Sequence, residues 1–177
     1  GEDTASHSTY RPVAVYASDV NGDGITELPR AVLMAGYKDT SSSDAVYMLD
    51  WYAYGIGKVP AKVATTYQNI SDAWSLLIDQ KWHDRITAIK VSDGGLSYVE
   101  FFEYRKNKMS IPLFNIYCAT GSNREYYAER PDLIQLGQTT QAIYFAKLTN
   151  EGEQSELALT GDEIKARFSL VNQAWNN

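Results

Sequence analysis

The stretch Asp19-Val20-Asn21-Gly22-Asp23-Gly24-Ile25-Thr26-Glu27 carries residue types whose spacing points to chemistry. Oxygen-bearing side chains fall at its positions 1, 3, 5 and 9, and the Ile25 carbonyl falls at position 7. Calcium is a hard cation that takes about 6–8 oxygens near 2.4 Å, and a tight loop of alternating oxygen side chains delivers them. Gly24 at position 6 permits the sharp bend such a loop needs. An EF-hand would require a bidentate Glu at position 12, where Arg30 stands; Pro29 and strand-like flanks also exclude its two helices. The expected ligands of one structural Ca²⁺ are therefore Asp19, Asn21, Asp23, Ile25 through its carbonyl, and Glu27. The competing reading is an Asx-rich turn whose acids are merely solvated.

Other reactive combinations are poorly supplied. A Ser-His-Asp hydrolase needs an imidazole base, and the chain has two histidines, His7 near the start and His83 beside Trp82. It contains neither a Gly-x-Ser-x-Gly elbow nor a Gly-x-x-x-x-Gly-Lys-Ser/Thr phosphate cradle. Cys118 shares a strand face with Phe114 and Ile116, which reads as a core position rather than a nucleophile. Among 22 acids, paired carboxylates of the glycosidase kind carry no signal in the sequence. Asn69-Ile70-Ser71 fits a glycosylation sequon, informative only in a eukaryotic secretory host. Tyr52, Tyr54, Tyr98, Tyr104, Tyr126 and Tyr127 either line a sugar-stacking or protein-binding face or are ordinary strand residues with wet hydroxyls.

The elements that must position these residues are mostly strands. From Ala45 to Tyr54 the pattern has period two, with Tyr47, Leu49, Trp51 and Ala53 on one face. Gly55-Ile56-Gly57-Lys58 is the turn to a returning strand, Val59–Tyr67. Ala31–Met34, Ala73–Ile78, Arg85–Val91, Leu96–Tyr104, Leu113–Ala119 and Ala142–Leu148 are further strands, with Asp93-Gly94-Gly95 as a tight turn. Asp39–Asp44 is a polar loop. Thr160-Gly161-Asp162-Glu163 is a capping box, and Ile164, Phe168, Val171 and Trp175 recur as one apolar stripe of a closing helix. A second, shorter helix is expected over Ser122–Arg130, ended by Pro131.

Composition bounds what such a body does. Hydrophobic residues make up 44% of 177, with 13 Tyr, 4 Trp and 5 Phe, enough for a packed core. Sixteen basic residues against 22 acidic give a charge of −6, which repels phosphate backbones and argues against nucleic acid. No apolar run approaches the roughly 20 residues of a membrane helix, so no transmembrane segment is expected. A single cysteine forbids an internal disulfide and a multi-cysteine zinc site. The chain opens Gly1-Glu2-Asp3-Thr4, as though an original N-terminus had been removed, so the lack of a visible signal peptide says nothing about export.

Asp-x-Asn-x-Asp-Gly-x-x-Glu-Leu-Pro between two short strands resembles the calcium loop of FG-GAP and VCBS repeats, which occur chiefly outside cells. The likeness covers residues 13–34 in a single copy, which does not make a propeller. The whole chain resembles uncharacterised lipoproteins and secreted proteins of Gram-positive bacteria, especially gut anaerobes. That likeness rests on Asp19–Arg30, the run Thr65–Trp74, Leu76–Trp82, Asp84–Thr87 and Phe168-Ser169-Leu170; where the group often has Gly and Pro, this chain has Ala73 and Asp79. From about Tyr67 the element order resembles PsbP-like domains, through Trp74, Trp82, Phe114–Tyr117, Leu136–Thr139 and Ile143-Tyr144. These resemblances imply an α+β fold: an antiparallel sheet with packed helices, a PsbP-like α/β/α sandwich preceded by a small β-rich portion. The expected division is a flexible tail at 1–10, the β-rich portion at 11–68 and the α+β domain at 69–177, the last two being separate or one continuous globule. The expected function is a non-enzymatic, extracytoplasmic domain, secreted or lipid-anchored at the cell surface, that binds a protein or glycan ligand. The alternative is an extracellular enzyme such as a glycan hydrolase, its site assembled from scattered acids and tyrosines.

Overall fold

The structure is a computed structural model that describes residues 13–37, 45–93 and 95–171. The alternating segments form strands, as period-two patterns should when one face is buried. The first sheet has the order β1-β2-β3-β4-β10 and is antiparallel between every pair of neighbours. Its strands are β1 (Leu28–Leu33), β2 (Tyr47–Ala53), β3 (Ala61–Asn69), β4 (Trp74–Leu77) and β10 (Phe168–Leu170). The second sheet, order β5-β6-β7-β9-β8, is also antiparallel throughout. It contains β5 (Ile86–Asp93), β6 (Leu96–Arg105), β7 (Lys108–Thr120), β8 (Ile134–Gln138) and β9 (Ala142–Leu148). Lys106 and Asn107, at φ 50° and 58°, make the two-residue β6–β7 turn, the left-handed geometry that tight hairpins prefer.

The expected α+β sandwich with packed helices is overturned. The chain is 49% strand and 13% helical, and its two antiparallel sheets have few helices to cover them. Among the described residues the helices are α1 (Arg124–Ala128), α2 (Asn150–Glu153) and α3 (Gly161–Arg167), with a 3-10 turn at Gln80–Trp82. The closing helix shows why. Its capping box forms, with the Thr160 hydroxyl accepting from the Glu163 amide and Glu163 accepting from the Thr160 amide. Yet α3 ends at Arg167, and Phe168 adopts extended backbone. Phe168, Ser169 and Leu170 then pair with Leu76, Ser75 and Trp74, supplying the partner that the outer edge of β4 needs. Ile164 and Phe168 still reach the core, but from a helix and a strand rather than one stripe. Trp175, the 1–10 tail with His7, and the Asp39–Asp44 loop lie outside the described residues.

The two sheets share their main core. Met48, Tyr67, Trp74 and Leu76 from the first meet Val99, Phe101, Phe114, Ile116 and Tyr144 from the second. Tyr67 packs edge-on to Phe101 at 5.4 Å between ring centres, and Phe101 stacks on Phe114 at 4.8 Å. Trp82 of the 3-10 turn closes one side, fully buried, with its indole N–H donating to the Leu157 carbonyl at 3.0 Å.

Candidate metal centre and binding cleft

The Asp19–Glu27 loop precedes β1 and is closed like a small hairpin. The Ser18 amide donates to the Glu27 carbonyl at 3.1 Å, and the Glu27 amide donates back at 2.9 Å. Between them the chain folds over the Asp19 carboxylate, which accepts from the amides of Gly22 (2.7 Å), Asp23 (3.1 Å) and Gly24 (2.8 Å). Gly22 and Gly24 sit at φ 76° and 83°, where a side chain would strain the backbone. These amides, Gly24 first, hold the Asp19 carboxyl below its ordinary value, so it stays ionised in mild acid.

Carboxylate oxygens of Asp19, Asp23 and Glu27 lie within 4.8 Å of one another. Two oxygens on one Ca²⁺ are at most about 5 Å apart, twice the metal–oxygen distance, so the spacing fits a shared cation. Glu27 is fully buried; one oxygen accepts from the Val20 amide at 2.9 Å, while Oε1 is buried with no hydrogen-bond partner. Asn21 faces Asp23 instead, its amide group donating to Oδ2 at 2.9 Å and its oxygen accepting the Asp23 amide at 3.0 Å. Ile25 donates its amide to Asp23 at 2.8 Å, and its side chain is exposed. Of the five expected ligands, three carboxylates converge, while Asn21 and Ile25 hold Asp23 in place.

The chain matches no family model, no curated protein and no solved structure.

His83 does approach a hydroxyl: its Nε2 lies 3.2 Å from Thr65 Oγ1. The wiring is wrong for attack, because Thr65 gives its proton to Asp50 at 2.6 Å and is only 5% exposed. Lys62 closes the cluster, 3.2 Å from the same imidazole nitrogen and 3.0 Å from Asp50. Cys118 is buried, and burial followed by the Asp72 charge pushes its thiol up to about 11, which keeps it protonated and inert. Asn69 of the sequon is buried, donating to Asp72 at 2.7 Å and accepting from Lys90 at 3.1 Å, so its side chain is not open to glycosylation.

Sequence reasoning missed a cleft on the outer face of the second sheet. It is lined by Leu96, Tyr117, Lys147, Tyr127, Arg130 and Leu133, with a volume of about 210 Å³. Beneath it lie Ala119, Ile143 and Phe145. Of the six tyrosines singled out from the sequence, Tyr127 lines this cleft, and Tyr98 packs 5.1 Å from Tyr117. Tyr126 is exposed beside Tyr127, Tyr54 is exposed at the end of β2, Tyr52 pairs across to Leu28, and the Tyr104 ring lies over Gly36.

Proposed function

We propose that the chain is a non-enzymatic binding domain of the extracytoplasmic space, secreted or anchored at a Gram-positive cell surface, with a loop braced by Ca²⁺. The observation that carries the metal reading is Glu27. A buried carboxylate oxygen without a partner costs about 1–3 kcal/mol or more, and a cation shared with Asp19 and Asp23 removes that cost. Calcium loops of extracellular modules bind at about 10⁻⁴–10⁻³ M, so a loop of that class would be filled in calcium-rich surroundings outside the cytoplasm. The binding role is supported by the aromatic cleft, whose lining residues include no carboxylate pair of the glycosidase kind.

Thermal melting with and without calcium tests the loop. At a dissociation constant of about 10⁻⁴ M, 5 mM Ca²⁺ stabilises the folded chain by about 2 kcal/mol. Glu27→Gln gives a distinctive pair of outcomes: a higher midpoint than wild type in chelator, because the buried charge is gone, and no response to calcium. A wild-type midpoint that calcium leaves unchanged overturns the metal reading.

A further inference from the structure

Resting on the reading of this chain as a binding domain, we propose that the Tyr117–Tyr127 cleft takes one pyranose unit of a glycan. Its wall is built from two tyrosine rings and two leucines, Leu96 and Leu133, over the buried floor of Ala119, Ile143 and Phe145. Such a wall receives an apolar face of a ligand. Its rim is different in kind. Arg130 grips Asp132 through two bonds, of 3.0 and 2.7 Å, and Lys147 holds the same carboxylate at 3.1 Å. Two cations share this one acid, so the rim keeps spare N–H donors and a net positive charge, and a small anion such as phosphate is the rival occupant. It also offers N–H donors beside an ionised acceptor, the set that neutral vicinal hydroxyls need. The row continues along the sheet: Asn115 donates to the Tyr117 hydroxyl at 3.1 Å and reaches Glu100 at 3.4 Å.

A ligand with one C–H face and a ring of uncharged hydroxyls matches both halves of this surface. Size sets the rest. At about 210 Å³ the cleft lies below the roughly 300–1,000 Å³ of pockets that enclose drug-sized molecules, so it holds one ring and leaves the rest of a chain outside. Extended peptides need a longer groove than this. The expected dissociation constant for a single unit is on the order of 1 mM.

Amide NMR titration of the whole chain in calcium-containing buffer tests this, using methyl glycosides of glucose, galactose, mannose and N-acetylglucosamine, and oligosaccharides of each. At least one series should give saturable shifts centred on Leu96, Tyr117, Tyr127, Arg130, Leu133 and Lys147. Tyr127→Ala and Lys147→Gln, on separate elements, should each weaken binding at least fivefold with well-dispersed spectra, and Tyr127→Phe should retain it. Silence across every series overturns the proposal, as do shifts mapping elsewhere or shifts at the cleft produced by inorganic phosphate and not by glycosides. The calcium response of the melting midpoint, read on the same samples, is independent of the cleft. Its loss marks failure of the metal reading, and its persistence without glycoside shifts marks failure of the sugar assignment alone.

Discussion

Ala73 stands at φ 56° in the turn between β3 and β4, a left-handed conformation that costs a residue with a Cβ about 1–2 kcal/mol. The position is held because the Ala73 carbonyl accepts from the Val171 amide at 2.9 Å, tying the turn to the end of β10. Ala73→Gly should therefore raise unfolding stability, by about 0.5–1 kcal/mol once the looser unfolded chain is counted, read from urea midpoints. Cys118 makes a second case. Its folded thiol, pushed to about 11, stands above the ordinary 9.0, so the protonated form is favoured by folding. That contribution is complete below pH 9 and is lost as pH rises to about 11, by up to about 3 kcal/mol. Wild type should lose stability across this window more steeply than Cys118→Ala, and a thiol reagent at pH 8 should label the native chain only as fast as it unfolds. The convergence of Asp19, Asp23 and Glu27 arises at this same scale, because oxygen spacing is a local property of nine residues. Hidden from the sequence were the hydrogen bonds that join Asn21 and the Ile25 amide to Asp23, which only folding decides.

Several strands were readable too: β2 arises where the sequence alternates at period two, and β3, β5, β6, β7 and β9 arise at the other apolar runs read as strands. β8 and β10 were not. Ile134–Gln138 mixes glutamine and glycine with its apolar residues, and Phe168–Leu170 is a strand only because β4 offers an unpaired edge. Period alone also suggested a helix running through Phe168, since apolar residues four apart serve equally a helix face and two successive elements on one core. The cleft was illegible for a related reason: its six lining residues come from β6, β7, β9, α1 and the α1–β8 connection, which no local window unites. Close packing between elements also sets a sharp constraint at Gly152 of α2. A Cβ there would stand 2.3 Å from the Leu113 carbonyl oxygen of β7 and 2.6 Å from the Thr149 hydroxyl that caps the helix. Backbone cannot yield as a flexible side chain would, so Gly152→Ala should push α2 off β7 and destabilise by at least about 2 kcal/mol. Chemical denaturation measures it, and a cost below about 0.5 kcal/mol would show that this helix is not seated as described.

At the scale of the whole molecule, the question is whether two sheets make one cooperative unit or two. Sequence reading placed a division near residue 68 and left open whether the two portions form one continuous globule, because which strands pair across a chain is a nonlocal property that alternation does not encode. The physical answer lies in the aromatic chain Tyr67–Phe101–Phe114–Trp82, which runs from β3 through β6 and β7 to the 3-10 turn. Phe101 is fully buried at its centre and touches rings from both sheets. Neither sheet can expose that face to water without stripping the other, so their unfolding should be coupled. Phe101→Ala removes the shared ring and should cost about 3–5 kcal/mol. Hydrogen exchange then separates the alternatives. With coupling, amides of β2 and β3 lose protection in step with those of β6 and β7, and the thermal transition stays single while moving down. If the first sheet opened while the second kept its protection, the core would be two cores in contact, and the Asp19–Glu27 loop that feeds β1 would brace only its own half.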